Sequence, residues 1–341
     1  MGRRLVVARE ICGTSCGMKK ILSIDSGGVR GIIPAIILAE LERRTSRPIC
    51  ELFDFFAGTS TGGMLVLGLN RPNPFSGDRP FCSAAELAML FRKWGPRVFG
   101  HRLSRTGQPA NQTGPEERIE AMLRDYFGNS RLSDCIRPTM VTAFDLIAAQ
   151  PVFIHSEARR GGSSRDFLMW QAARATTAIH THFEPFQMSA QLSSFGGARD
   201  VSLVDGSLFA GNPAMCALAE ARSLFPDEDD FVLVSLGCGE VHGGPSFDST
   251  QKRRRFLDFS LKAQSDSVDR QMRMFLSKQH YVRIQTPLPA ECGRIDDASR
   301  QNMLALEKLT EQAILRYKAE LDRVVQLVER RSETRTELAA A

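Results

Sequence analysis

Short apolar runs alternate with longer amphipathic stretches along most of the chain. Ile21-Leu22-Ser23-Ile24 is apolar enough for a buried strand. Ile32 to Arg44 then shows helical periodicity, with Pro34 in the first turn, where proline is tolerated. Leu52 to Ala57 reads as a second buried strand, and Gly63 to Leu67 as the apolar opening of a helix. Residues 71–117 are loop-like for most of their length, although Ala84 to Trp94 puts Leu87, Leu90 and Phe91 on one helical face. Long polar segments of this kind inside an enzyme domain commonly serve as lids or binding loops. The pattern predicts a helix over 116–127, a strand pair over Thr139 to Asp145 and Val152 to His155, and a helix from Phe167 to Ala178 that ends in a mixed stretch, His180 to Phe186. Val201 to Val204 and Phe231 to Leu236 are further strands, separated by a helix from Ala214 to Leu224. Lys252 opens a helical stretch reaching His280, and Tyr281 to Gln285 is a short strand. Asp296-Asp297-Ala298 starts a last helical pattern that recurs through Leu306, Leu309, Leu315, Leu321, Val324 and Val328.

A length of 341 residues allows one large α/β domain or two medium ones. The folded part is expected to start near Met18, with an N-terminal extension over 1–17 and a polar tail over 331–341. Between them lies a domain over 18–330, mainly helical from about residue 246. The net charge of +5 fits weak attraction to anionic surfaces and does not indicate nucleic-acid binding. Lys252-Arg253-Arg254-Arg255 reads first as a solvated helix face, and second as a contact for an anionic membrane or an acidic ligand. Eight scattered cysteines, with no C-x-x-C pair and no zinc spacing, read as reduced thiols of a cytosolic protein. No apolar run approaches the ~18 residues of a bilayer span, and the N-terminal one is too short for a signal peptide.

Candidate chemistry concentrates at three turns. Gly58-Thr59-Ser60-Thr61-Gly62 joins a strand to a helix as G-x-S-x-G, the pattern of a nucleophile elbow. Small residues two before and two after Ser60 let backbones approach closely, and the helix N-terminus favours developing negative charge. The same pentapeptide also fits a plain Gly/Ser/Thr-rich turn. Asp25-Ser26-Gly27-Gly28-Val29-Arg30-Gly31 follows the first strand. It departs from the dinucleotide fingerprint at Ser26 and lacks the acidic partner. It fits either a tight turn or an oxyanion hole with N–H donors at Gly27 and Gly28, and Arg30 would steady the loop or attract an anionic head group. Asp205-Gly206-Ser207 closes a later strand, as a common turn signal or as a functional carboxylate. A serine nucleophile needs a base. None of the six histidines ends a late strand as a triad would require; His242 comes closest, and Asp205 is the better candidate.

Taken together, DSGGVRG, GTSTGG and DGS resemble the patatin-like phospholipases in order and spacing, with Asp205 lying 145 residues after Ser60. ARATTAIHTHFEPF, LVSLGCG and RIQTPLP…DDAS look like their counterparts in stand-alone bacterial members, so the likeness spans roughly residues 18 to 325. The resemblance implies a three-layer α/β/α sandwich with a mainly parallel central sheet. It implies a Ser60–Asp205 dyad without histidine, with oxyanion donors at Gly27 and Gly28 beside Arg30, and the elbow glycines at Gly58 and Gly62. The implied activity is acyl hydrolysis of membrane phospholipids without metal or cofactor, by a cytoplasmic protein that associates peripherally with the inner membrane face. Some relatives of this layout are antiphage effectors switched on by a cyclic dinucleotide. Ser26 stands where the family usually has glycine, and would strain the loop by order 1–2 kcal/mol if φ there had to be positive. Ser207 stands where the family usually has Gly or Ala. The alternatives are a catalytically impaired lipid- or nucleotide-binding relative, and a Ser-His-Asp small-molecule esterase.

Overall fold

The computed structural model describes residues 18–77, 79–99, 114–156, 167–179, 182–191, 198–241 and 252–329. The expectations for the N-terminal extension, the polar tail, His101, His180 and His242 lie outside the described residues. In chain order, β1 (Lys19–Ile24) leads through a 3-10 turn (Gly28–Gly31) into α1 (Ile32–Thr45) and α2 (Ile49–Leu52). Then follow β2 (Phe55–Thr59), α3 (Thr61–Asn70), α4 (Ala84–Phe99), α5 (Pro115–Phe127), β3 (Thr139–Asp145), β4 (Gln150–His155) and α6 (Met169–Thr176). The second half holds β5 (Phe186–Gln191), β6 (Ala198–Asp205), α7 (Ser207–Ala210), α8 (Ala214–Leu224), β7 (Phe231–Leu236) and β8 (Glu240–Val241). It closes with α9 (Lys252–Phe275), β9 (Tyr281–Ile284), β10 (Pro287–Leu288), α10 (Arg300–Arg316) and α11 (Lys318–Glu329).

One sheet organises these elements in the order β5-β6-β3-β2-β1-β7-β9, with β4 on the free edge of β3. The β1, β2, β3, β7 and β9 pairings are parallel, while β4 and β6 run antiparallel to β3. The period-2 alternation of each strand sends side chains into two cores. Ile21, Phe55, Ala57, Phe231 and Leu233 meet Ala214, Leu218 and Met272 of α8 and α9 on one face. Leu22, Ile24, Phe56, Val232 and Val234 meet α1, α3–α6, α10 and α11 on the other. The result is the α/β/α sandwich with a mainly parallel sheet.

Several boundaries differ from the sequence reading. Leu52 closes a helical turn rather than opening β2, because the Glu42 carboxylate accepts the Ile49 N–H (3.1 Å) and starts α2 after Pro48. β5 has no counterpart in the sequence pattern; among the described residues it pairs only with β6 at the sheet edge, and its polar Gln187 and Ser189 face out. α9 ends at Phe275, where turns onto the Ser277 carbonyl reverse the chain into β9. The last helix starts at Arg300 under a Ser299 cap, not at Asp296, and breaks at Tyr317, whose hydroxyl donates to the Gln285 carbonyl (2.9 Å).

A buried ion pair ties the C-terminal part to β1. Arg283 of β9 donates to both oxygens of Asp25 (2.9 and 2.5 Å), and also to Ser235 of β7 (2.7 Å) and Ser265 of α9 (3.1 Å). Burial pushes the Asp25 carboxyl upward, and the bidentate guanidinium opposes that push. Removing one partner strands a buried charge. Arg283→Met is therefore expected to cost about 3–5 kcal/mol in urea unfolding, with much of the loss recovered when Asp25→Leu is added. A single variant as stable as the wild type would contradict this.

Candidate active site

The register of β3 determines what meets at its edge. β2 runs along one side of β3 and stops with Thr59 opposite Thr142. β6 arrives along the same side from the opposite direction and stops with Asp205 opposite Ala143. The carboxyl ends of the two strands therefore face each other, and Ser60 and Asp205 are the residues at that junction. Beneath them, Thr59 Oγ1 lies 2.7 Å from Thr142 Oγ1 and donates to the Ala210 carbonyl at 2.7 Å, which pins β2, β3 and α7 together.

Ser60 sits at φ 57, ψ −123 and caps the N-terminus of α3 without spending its hydroxyl on a capping bond. That backbone is strained for a residue with a side chain, by about 1–3 kcal/mol. The turn closes because its neighbours are glycine: a Cβ on Gly62 would lie 2.2 Å from the Ile24 carbonyl, and one on Gly58 2.3 Å from the Gly62 carbonyl. The Ser60 amide donates to Thr176 Oγ1 at 2.8 Å, and the Asp205 amide donates to the Ala178 carbonyl at 3.0 Å. The end of α6 thus holds both residues. Arg174, buried between Glu120 and the Glu184 carbonyl, anchors that helix end. Neither Thr176 nor Ala178 was singled out from the sequence, although both lie in the ARATTA stretch that carried part of the resemblance.

Ser60 is 8% and Asp205 3% exposed. Asp205 Oδ1 accepts the Ser207 amide at 2.8 Å, while Oδ2 is buried without a hydrogen bond of good geometry. Burial pushes the carboxyl up to about 6; the nearby Ser60 hydroxyl and the Ser207 amide and hydroxyl pull it back only in part. Among the described residues, no cation faces it in the manner of Arg283 with Asp25. A carboxylate so placed can take and return a proton near neutral pH.

The glycine-rich loop lies against the elbow, since a Cβ on Gly31 would lie 2.2 Å from Thr61 Oγ1. In the loop, Ser26 N–H goes to the Gly211 carbonyl, Val29 N–H to Ile295 and Arg30 N–H to Gly27. That leaves the Gly27 and Gly28 amides without a protein acceptor among the described residues. Gly28 has φ +57 and its α-carbon is walled by the Ile295 carbonyl, so only glycine fits there. Ser26 is not among the residues with positive φ, and the conditional strain does not arise. Arg30 Nη1 donates to the Gly293 carbonyl (3.3 Å), which gives the side chain a bracing contact. The three described histidines lie beside other carboxylates: His155 by Glu220, His182 by Asp296 and His280 by Asp230.

The family model described as patatin-like phospholipase matches residues 22–218, which contain the glycine-rich loop, Ser60 and Asp205. The chain belongs to that family. As such it is a lipid acyl hydrolase. Patatin-like protein 2 of Oryza sativa subsp. indica is 30% identical, over 86% of this chain and 83% of the relative. Patatin of Solanum tuberosum is 25% identical, over 90% and 86%. Among solved structures, VipD from Legionella pneumophila aligns with 87% of this chain and 67% of its own at 10% identity, with a TM-score of 0.33.

In this patatin-like protein the Ser60–Thr176 bond predicts a positioning role for Thr176. Thr176→Val keeps the shape and removes the acceptor, and is expected to lower kcat roughly 10- to 100-fold with little change in KM, because small misplacements of a reacting atom cost that much. Thr176→Ser should retain most of the rate. Turnover of the valine variant within twofold of the wild type would show that the elbow holds without this bond.

Proposed function

We propose that this chain is a phospholipase A-type hydrolase that cleaves the acyl esters of membrane phospholipids through Ser60 and Asp205. The observation that carries the reading is the end-to-end meeting of β2 and β6, which sets a serine hydroxyl not spent on capping beside a buried carboxylate that no cation faces among the described residues. Ser60 Oγ gives its proton to Asp205 as it adds to the ester carbonyl carbon. The oxygen that becomes negative accepts the amides of Gly27 and Gly28, aided by the N-terminal end of α3. Collapse of the tetrahedral adduct breaks the ester C–O bond, and the departing lysolipid alkoxide takes the proton from Asp205. A water molecule then repeats the sequence on the acyl-serine: its proton passes to Asp205, its oxygen bonds to the acyl carbon, and Ser60 leaves reprotonated with release of a fatty acid.

The base works only as the carboxylate, so kcat/KM is expected to fall as pH drops through about 6. Fatty-acid release from phospholipid vesicles should vanish in Ser60→Ala and Asp205→Asn, and persistence in either would overturn the dyad. The stability sign is opposite to that of a salt-bridged aspartate. A folded pKa raised from 3.8 to about 6 means the charged form opposes folding by on the order of 3 kcal/mol above pH 6. Asp205→Asn should therefore be inactive yet more stable than the wild type at pH 8, with the gap shrinking as pH falls from 6 toward 4. Equal melting at pH 8 would contradict that.

The likeness of the chain to stand-alone members in length and layout extends the proposal to activation by a cyclic dinucleotide in antiphage defence. Its test is the same release assay and a thermal melt with a panel of cyclic dinucleotides. If neither activity nor melting temperature moves, this part of the reading falls.

A further inference from the structure

Two separate supports hold the candidate site. One is the end of α6, where Thr176 takes the Ser60 amide and the Ala178 carbonyl takes the Asp205 amide. It places the nucleophile and the base. The other is the segment 293–296, whose Ile295 carbonyl takes the Val29 amide and walls Gly28, and whose Gly293 carbonyl takes Arg30. It places the glycine-rich loop, and with it the amides of Gly27 and Gly28. Catalysis needs both sets of atoms in one frame, because the negative oxygen forms at the carbon that Ser60 attacks. The two supports lie far apart in sequence, so a noncovalent tie has to keep them in register.

His182 supplies one. Directly after Ala178, the Ile179 carbonyl accepts the amides of both His182 and Phe183 (2.9 Å each), so a tight turn carries the imidazole off the end of α6. Phe99 meets the ring edge-on at 5.8 Å between centroids, and Phe183 lies at 6.4 Å. Held in that way, His182 Nε2 lies 3.2 Å from Oδ2 of Asp296, a residue 114 positions later. A carboxylate only accepts, so Nε2 carries the proton. Asp296 is the neighbour of Ile295, and Arg294 donates to both of its oxygens (3.2 Å each). The His182 and Asp296 side chains are mostly shielded from water (23% and 17% exposed), so solvent screens their bond less than that of a surface pair. An unbroken path thus runs from the Ser60 amide through Thr176, the Ile179 turn, His182 and Asp296 to Ile295 and the loop.

We propose that His182 is a positioning residue, which acts through Asp296 and Ile295 to set the Gly27 and Gly28 amides at the height of Ser60. The role rests on the reading of Ser60 as the nucleophile, and it leaves Asp205 as the base. His182→Phe keeps a ring against Phe99 and removes the donor, while His182→Gln returns a donor near the place of Nε2. In the phenylalanine variant kcat on phospholipid vesicles is expected to fall roughly tenfold with KM nearly unchanged, because misplacing the groups that meet the transition state costs rate rather than binding. The glutamine variant should recover most of that loss. Labelling by a fluorophosphonate, in which Ser60 Oγ bonds to phosphorus and fluoride leaves, should slow by a similar factor and needs no lipid. Combining His182→Phe with Asp296→Ala should cost little more than Asp296→Ala alone, since both cut one path. Turnover and labelling of the phenylalanine variant within twofold of the wild type would overturn the role. Equal losses in the phenylalanine and glutamine variants would do the same, as would losses that add in the double variant or a change confined to KM. Slower labelling of the phenylalanine variant, beside a wild type that is labelled but releases no fatty acid from vesicles, would keep the role and remove the phospholipase reading. A wild type that the reagent leaves unlabelled would remove both.

Discussion

β3 offers one edge to two strands. β2 takes the part up to Thr142 and β6 takes the part from Ala143, approaching from the opposite direction. Neither can extend without displacing the other, so both chains must turn away at the same height. β2 turns through the strained backbone of Ser60 into α3, and β6 turns through Asp205-Gly206 into α7. The two side chains meet because the sheet leaves no other arrangement, and the end of α6 fixes both backbones there through Thr176 and Ala178. A mixed rather than wholly parallel sheet is therefore a condition for the site: with β6 parallel to β3, Asp205 would lie at the far end of its strand from this junction.

Two buried carboxylates near this edge receive opposite treatment. Asp25 is met by both arms of the Arg283 guanidinium, and serves to hold β1, β7, β9 and α9 together. Asp205 receives only hydroxyl and amide donors. The first is locked as a structural charge, and the second has its carboxyl pushed up to about 6 by burial. Environments that separate otherwise identical groups in this way are how one fold assigns different roles to them.

What could be read from the sequence depended on how local the cause was. α8 and β7 begin and end where apolar periodicity places them, because each is a short regular element bounded by its own turn residues. Leu52 was misplaced because a glutamate seven residues before Ile49 captures that amide. β5 was passed over because an edge strand with one partner needs only weak alternation. The single C-terminal helix became two because Tyr317 reaches back to Gln285. In the site, Ser60 and Asp205 stood out because their chemistry needs those residue types in those turns. Thr176 did not, since it acts by accepting a backbone hydrogen bond from a residue 116 positions earlier, and no spacing rule reports that. For Arg30 the sequence left two roles open, steadying the loop or meeting an anionic head group, and its guanidinium reaches the Gly293 carbonyl.

The glycine-rich loop is shaped from a distance. Ile295 accepts the Val29 amide and walls Gly28, and Gly293 accepts from Arg30, so the wall behind the loop comes from a segment more than 260 residues later. The stretch that the family model covers ends well before that segment. The hydrolase machinery is thus not a portable cassette. A graft that carried the loop, the elbow and the aspartate into another scaffold would leave behind the mould that sets the loop. The set of the Gly27 and Gly28 amides is accordingly open to change at Gly293 and Ile295, neither of which belongs to the loop, the elbow or the Asp205 turn.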